Sequence, residues 1–429
     1  VLTESATSAE LAHLVTDTNG RGVLARGLGR SYGDAAQNAG GTVIAPFLAQ
    51  ERPLVDAATQ TVEARAGVSL EAVLRAALPH GLCLPVMPGT RFVTVGGAIA
   101  ADVHGKNHHV DGAMGRWVTE LDVLTGLGEQ RCLSPTMDPD AFWATTGGMG
   151  LTGVTLSARL RMMPVETSYL RVRTRRFADI EDAFAAMRDS PDRYHVAWVD
   201  GAANGRRLGR AVLDEGDHAK LGDLPRGLRG DPLRYRPRQL LAAPAFPMSV
   251  LTPPLVRRFN SAWWHRASED ATRLASLTSF FHPLDGVAGW NRLYGRGGLI
   301  QYQYVVPFGN EALIVETLRL LAGADAPPYL VVLKRFGEQS PGPLSFPMPG
   351  WTLAADIPAD RPGLARVLDA LDECVVSAGG RVYLAKDARL RPTLVPAMYP
   401  RLSEWQATRS RLDPHGRFSS DLARRLRLC

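Results

Sequence analysis

The chain has 429 residues, 45% hydrophobic and 21% charged, an ordinary globular balance that excludes a disordered or fibrous protein. Its length exceeds what one core usually holds and implies two domains. Lys plus Arg outnumber Asp plus Glu by 49 to 43, and the resulting +6 is weak support for nucleic acid or any other polyanion, though it suits a phosphate-bearing substrate or an anionic membrane surface.

Ala9, Leu11, Ala12, Leu14 and Val15 predict a helix within residues 1–20, closed by Asn19 and Gly20. The opening VLTESATSAE has no basic-then-apolar leader pattern, and the first residue is not Met. Val23–Ala25 reads as a short strand running into GLGRSYGD at 27–34. Residues 41–46 and 61–66 read as strands, and Leu70–Ala77 as a helix ended by Pro79 and Gly81. Residues 88–90 and 94–101 are rich in Gly and Ala. Residues 121–124 and Gln130–Leu133 predict a hairpin, and 140–146 a helix ahead of Gly147-Gly148-Met149-Gly150. Composition shifts near residue 166. Leu170, Val172 and Thr174 then alternate with Arg171, Arg173 and Arg175, as in a half-exposed strand. Residues 203–240 are rich in Arg, Gly and Pro, and 225–238 (PRGLRGDPLRYRPR) lack periodicity, which predicts a mobile loop. Residues 300–306, 330–333 and 352–357 read as strands and 364–374 as a helix. The order is α+β, without internal repeat. Cys83, Cys132, Cys374 and Cys429 form no CxxC pair, so neither a disulfide framework nor a zinc site is expected. No run of roughly 18 apolar residues would span a membrane.

GLGRSYG is close to the G-x-G-x-x-G dinucleotide fingerprint, but its third glycine comes one residue late. The DAAQNAGG that follows is polar and not helical, so a Rossmann fold is not expected. Small residues there still let backbone N–H groups converge on a pyrophosphate, with Arg30 near enough to add charge. Taken alone, the segment is equally well a tight turn. Gly96-Gly97 with Ala98, Ala100 and Ala101, and TGGMGLTG at 146–153, permit the same close approach. Three such loops in the first 155 residues point to one extended ligand threaded among them. The alternative is three unrelated turns in a β-rich domain.

Taken together, ARGLGRSYGD (25–34), PGTRFVTVGGAIAADVHGKNHH (88–109), FWATTGGMGLTGV (142–154) and DPHGRFSSDLARRL (413–426) resemble the vanillyl-alcohol-oxidase-type FAD-binding fold and its aldonolactone-oxidase branch. HGKNHH (104–109), LIQYQYVVP (299–307), LSFPMPGW (344–351), YLAKDAR (383–389) and AMYPRLSEW (397–405) narrow the resemblance to the polyprenylphosphoryl-ribose oxidases, the flavin half of a 2′-epimerase. It covers nearly the whole chain, least well at 203–240. The resemblance implies a two-domain α+β fold: an FAD domain at 1–166, a substrate domain on an antiparallel sheet at 167–380, and a segment at 381–429 returning to the FAD domain.

The resemblance also implies the contacts. The pyrophosphate loop would be Ala25, Arg26, Gly27, Leu28, Gly29, Arg30, Ser31, Tyr32, Gly33, Asp34 and Ala35. Gly89, Thr94, Val95, Gly96, Gly97, Ala101, Asp102, Val103 and His104 would lie along the flavin and ribityl chain. Val154 and Thr155 would face the adenine side, and Tyr383 would return from the C-terminal segment. Many relatives bind FAD covalently through a His in the first loop. This loop offers Tyr32 instead, which implies non-covalent FAD.

Flavin-dependent alcohol oxidation needs a group to take the hydroxyl proton and positive charge nearby. Lys386 is the expected base, because a desolvated lysine loses its proton readily, and His104 is expected to assist. Without the resemblance Lys386 would pass for a surface lysine and His104 for a structural one. His108 and His109 are expected to be structural or solvent-facing, and no metal is expected, since no carboxylate or Cys spacing accompanies them. Tyr32, Lys106, Tyr294, Gln301, Gln303 and Lys334 would line the substrate pocket, with Trp198 packed over it. Gln301 and Gln303 share one strand face, equally compatible with a sugar or with solvent. Thr352 and Ala354 stand where mycobacterial relatives carry an Asn and a Cys that nitroaromatic inhibitors attack. Oxidation should survive that Ala and covalent inhibition should not, while the Thr alters a pocket hydrogen bond.

The implied reaction is oxidation of the 2′-hydroxyl of decaprenylphosphoryl-β-D-ribose to the 2′-keto sugar, for cell-wall arabinan. The implied partners are a polyprenyl-phosphate sugar, an NADH-dependent short-chain reductase that completes the epimerisation, and a membrane surface contacted peripherally. Arg234, Arg236 and Arg238 with Leu240, Leu241, Phe246, Met248, Val250 and Leu251 are the basic and apolar groups expected to meet that membrane. A disordered loop is the alternative. Family analogy implies the cell envelope, on the cytoplasmic or periplasmic side. Two rival functions share the same motifs: oxidation of a soluble sugar or aldonolactone, and non-catalytic binding of a lipid phosphate.

Overall fold

The computed structural model of the chain describes residues 2–3, 7–18, 20–45 and 51–429. The boundaries expected at Asn19 and Pro46 lie outside the described residues. The first helix is shorter than expected, Ser8–Thr16, because Thr7 and Glu10 form a reciprocal capping box that fixes its start. Leu2–Thr3 ahead of it is a strand and not helix, pairing in parallel with Thr42–Ile44, which also pairs with Val23–Ala25.

A five-stranded antiparallel sheet follows, in the order Leu54–Asp56, Thr61–Arg65, Val154–Arg161, Val118–Leu124, Gln130–Leu133. The hairpin between the last two strands in sequence forms as expected. Val62 and Ala64 turn to the inner face, where Val73, Leu74 and Ala77 of the helix Leu70–Ala77 cover them. The Gly- and Ala-rich stretch at 94–101 carries a helix, Val95–Ala100. The Thr94 hydroxyl accepts from Gly97 N–H at its start. Its lack of bulk is a packing requirement: a Cβ on Gly96 would stand 2.9 Å from Ala66 Cβ.

The second body is an eight-stranded antiparallel sheet in the order Asp270–Ser276, Tyr169–Phe177, Ala211–His218, Tyr194–Val199, Leu330–Phe336, Gly350–Pro358, Leu299–Val306, Arg381–Val382. The helices Ile180–Asp189, Glu311–Gly323 and Leu364–Ser377 cover one face through Phe184, Leu318, Leu368 and Leu371, packed on Ala197, Leu333, Leu353 and Tyr304. Period-two alternation puts the partners of those core residues on the opposite face. Ala211–His218 is a strand inside the Arg-rich stretch expected to be loop. Residues 225–238 lack strands, but Ser168 ties them down by donating its N–H to Pro232 O (2.9 Å) and its hydroxyl to Arg234 O (2.6 Å).

The chain then returns to the first body. Phe418 pairs with Val23, Trp405 Nε1 donates to Ala144 O (3.0 Å), and Arg411 makes a bidentate pair with Asp138. No helix among the described residues is long and apolar enough to cross a membrane.

Candidate functional site

The three small-residue loops converge. Thr94 Oγ1 fills the space where a Gly27 Cβ would be, 2.3 Å away, so the first loop lies directly on the start of the helix Val95–Ala100. Gly147 and Met149 donate their N–H groups to Ile99 O (2.9 Å) and Ala100 O (2.8 Å) at the other end of that helix. Tyr32 N–H donates to Ala385 O (3.0 Å), which joins the first loop to YLAKDAR. Gly29 and Gly33 take left-handed backbone at φ +62° and +60°. A Cβ on Gly89 or Gly150 would meet nothing within 4 Å, so backbone there is open to a ligand. Leu28 is exposed and Thr155 half-buried, while Ala35, Val95 and Val154 turn into cores and leave only backbone for a cofactor. This cradle of glycine, backbone and short side chains fits an extended dinucleotide. Arg30 lies over the Phe92 ring, 5.8 Å from its centroid. Asp34 is held by a bidentate pair with Arg425.

Gly33 supplies a test of the cradle. Its Cβ would lie 2.1 Å from Asp387 O as well as in strained backbone. Gly33→Ala should cost about 1–2 kcal/mol from the backbone alone, more from the collision, and should release flavin on gel filtration. Gly150→Ala, at φ +75° but in open space, should show only the first effect in thermal melting. Equal behaviour of the two variants would count against a close-packed loop.

The second wall is the face of the eight-stranded sheet that the helices leave uncovered. Cross-strand partners set it: Gln301 opposite Asp356, Gln303 opposite Ala354, Thr352 opposite Lys334, and Val332 opposite Trp198. The structure therefore brings Trp198, Gln301, Gln303, Lys334 and Thr352 onto one face, as the Gln-x-Gln spacing requires. HGKNHH approaches that face. The Gln303 amide donates to His104 Nε2 (3.0 Å) and to Thr352 Oγ1 (3.0 Å), and the Thr352 hydroxyl donates to Tyr304 O (2.8 Å). Thr352 thus anchors the chain of hydrogen bonds that reaches His104. The His104 ring meets Phe336 edge-on, with centroids 4.6 Å apart. Burial first, then the charges of Lys334 and Lys386, holds His104 well below the usual imidazole range, so it is neutral. Its neighbour Asp102 sits at φ +39°, a strained position for a non-glycine. Gly115 N–H (2.9 Å) and the Ser345 hydroxyl (2.8 Å) donate to its buried carboxylate and fix it there.

His108 is buried and His109 half-buried, each packed against a neighbouring element. Gly337 N–H donates to His108 Nδ1 (3.2 Å), and His109 stacks on His195 at 4.3 Å. Tyr383 stacks on Phe346 (4.5 Å), and its hydroxyl donates to Ala101 O (2.8 Å). The turn Leu384–Lys386 brings the Lys386 ammonium to 5.8 Å from the Tyr32 ring centroid. Burial pushes Lys386 down to about 8, opposed by Asp356. Burial also lowers Lys334 to about 7, reinforced by the charges of Lys386 and Lys106. Lys106 is lowered to about 8, mainly by burial; its ammonium donates to Phe280 O and lies 4.0 Å from the Phe280 ring centroid.

Asp356 was not among the residues singled out from the sequence. It is 1% exposed, hydrogen-bonded to the Gln301 amide, and pushed up to about 6 by burial. Its Oδ2 has no hydrogen-bond partner among the described residues. Its charge also acts on Tyr32 and on Tyr294, which stacks on Tyr329 at 5.7 Å. The signal was available: counting by two along the strand from Thr352 and Ala354 reaches Asp356.

Comparison with known proteins agrees with this geometry. Residues 2–134 match the FAD binding domain family and residues 358–426 the D-arabinono-1,4-lactone oxidase family. The chain is 43% identical over 421 residues to decaprenylphosphoryl-beta-D-ribose oxidase of Mycolicibacterium smegmatis, covering 96% of this chain and 90% of that protein. It is 41% identical over 374 residues to an uncharacterized Streptomyces coelicolor protein, covering 84% of this chain and 100% of that one. Cytokinin dehydrogenase 7 of Oryza sativa is 34% identical over 167 residues, 37% of this chain and 32% of that protein.

Proposed function

Because the chain belongs to the decaprenylphosphoryl-β-D-ribose oxidase family and is an FAD-dependent oxidoreductase, we propose that it oxidises the 2′-hydroxyl of decaprenylphosphoryl-β-D-ribose to the 2′-keto sugar. This would be the first half of an epimerisation for cell-wall arabinan, completed by a separate NADH-dependent short-chain reductase. In this reading the enzyme works at the cell envelope, in peripheral contact with the membrane. The observation that carries the reading is the lysine group. Lys334 feels the charge of both Lys106 and Lys386, an arrangement that a phosphate relieves and a neutral sugar or lactone does not.

Non-covalent FAD would be held by the loop 25–35, by Gly89, by the helix start at Thr94–Gly97, and by Ala101–His104. When bound, FAD supplies the two-electron acceptor for the hydrogen on C2′. Lys386 takes the hydroxyl proton at Nζ, because burial leaves it neutral in a useful fraction near neutral pH. His104 positions that hydroxyl and is not the base: its Nε2 lone pair already accepts from Gln303. Gln301 and Asp356 orient the remaining sugar hydroxyls, Trp198 and Tyr294 enclose the ring, and Lys334 and Lys106 hold the phosphate.

The test is anaerobic. Farnesylphosphoryl-ribose should bleach the visible flavin spectrum, and free ribose or an aldonolactone should not. Bleaching by the soluble compounds alone would replace this reading with a general sugar oxidase. Absence of flavin even after FAD is added would remove the enzymatic reading.

A further inference from the structure

The helix Pro253–Arg266 (PPLVRRFNSAWWHR) is amphipathic in an unusual sense, being apolar on the side turned to solvent. Leu255, Phe259 and Trp263, spaced by four, are 51%, 62% and 47% exposed. The rings of Phe259 and Trp263 stack at 6.4 Å and 15° on the outside of the protein. Around them stand exposed Arg258, His265 and Arg266, and the helix contains no carboxylate. Beside it a cavity of about 380 Å³ is lined by Arg206, Arg207, Arg210 and Arg257. The segment leading into the helix adds exposed Leu240, Leu241 and Met248. The inner face is fixed: Asn260 Nδ2 donates to buried Asp200 (2.9 Å), and Val256 packs with Tyr294 and Tyr329. The helix therefore touches the wall of the sugar pocket on one side and presents aromatic and basic groups on the other.

We propose that the outer face of this helix docks on an anionic phospholipid surface. The inference rests on the lipid-linked substrate proposed above and deepens it by assigning the surface that meets the lipid. Aromatic and aliphatic side chains flanked by arginines suit the boundary between headgroups and acyl chains, where apolar burial and attraction to anionic lipid act together. A protein partner would need a matching acidic and apolar face, whereas an anionic bilayer offers both at any point. Docked in this way, the helix holds the pocket wall at Tyr294 next to the layer from which a polyprenyl chain would come.

The experiment is cosedimentation of the FAD-loaded full chain with phosphatidylcholine–phosphatidylglycerol vesicles and with phosphatidylcholine vesicles. Preferential binding to the anionic vesicles is expected, weakened by added salt. It should fall on the order of tenfold or more in Phe259→Glu/Trp263→Glu, with an unchanged flavin spectrum and thermal midpoint. Should that variant fail to fold, Arg258→Glu/Arg266→Glu should lose the anionic preference alone. Binding that neither double variant weakens would overturn the assignment. So would a wild-type dimer in light scattering that binds no vesicles and that the aromatic variant dissociates. Vesicle binding through the helix, in a protein whose flavin farnesylphosphoryl-ribose does not bleach, would leave the docking surface standing and remove the substrate reading.

Discussion

Lys386→Met is expected to slow anaerobic flavin bleaching by farnesylphosphoryl-ribose on the order of 10²–10⁴-fold, the usual contribution of a positioned general base. Met keeps much of the side-chain length and removes the proton acceptor, so flavin content should be unchanged. The pH dependence separates a base from a cation. Burial lowers Lys386 to about 8, so the free enzyme holds it mostly protonated at lower pH and mostly neutral above. If the neutral amine is the working form, kcat/KM rises with pH, about tenfold per unit, and levels off above about 8. The Met variant should lack that rise. A wild-type rate that instead falls as pH passes 8 would show Lys386 acting as a charge and would return the base to another group.

Asp285→Ala should be the most damaging single change outside the pocket. Asp285 accepts from the Thr90 hydroxyl (2.7 Å), from Arg91 N–H (2.9 Å) and from Arg91 Nη1 (3.3 Å), and both charged groups are buried. It fixes the PGTR turn, which lies within the FAD binding domain match, to a segment 194 residues further along the chain. Truncating one member of a buried pair leaves the other charged and unpaired, at a cost of about 3–5 kcal/mol. The expected result is a thermal midpoint lower by on the order of 10 °C, with flavin lost on dilution because the turn beside Thr94 loosens. An unchanged midpoint would mean that Arg91 finds compensation elsewhere, for instance from Glu71, 3.7 Å from its Nε.

Those two positions illustrate what the sequence makes legible. Lys386 stands out because YLAKDAR resembles a known motif, and the strands expected at 300–306 and 352–357 form, within Leu299–Val306 and Gly350–Pro358. Asp285 is not visible in that way: it acts through Arg91, far along the chain, and local pattern carries no information about such a pairing. Strand spacing reaches Asp356 but not its pairing with Gln301. The helix Val95–Ala100 escaped because glycine and alanine give it no apolar stripe. The strand Ala211–His218 escaped because only its first three residues are apolar, in a stretch whose arginines and glycines suggest loop. The helix Pro253–Arg266 has no counterpart among the expected elements, and its outward-facing Leu255, Phe259 and Trp263 emerge only from the structure.

The alternation of the eight-stranded sheet has an evolutionary consequence. Along Leu299–Val306 and Gly350–Pro358, residues of one parity (Tyr302, Tyr304, Leu353, Ala355, Ile357) secure folding, and those of the other (Gln301, Gln303, Thr352, Ala354, Asp356) lie on the face that the helices leave uncovered. Under the function proposed above, specificity and foldability are written on separate, interleaved registers. Thr352 and Ala354 both fall on the second register, so a change at either position leaves the core register untouched. Insertion of a single residue would exchange the two registers. Drift in this part of the chain should accordingly proceed by substitution, with length changes confined to the connections between strands.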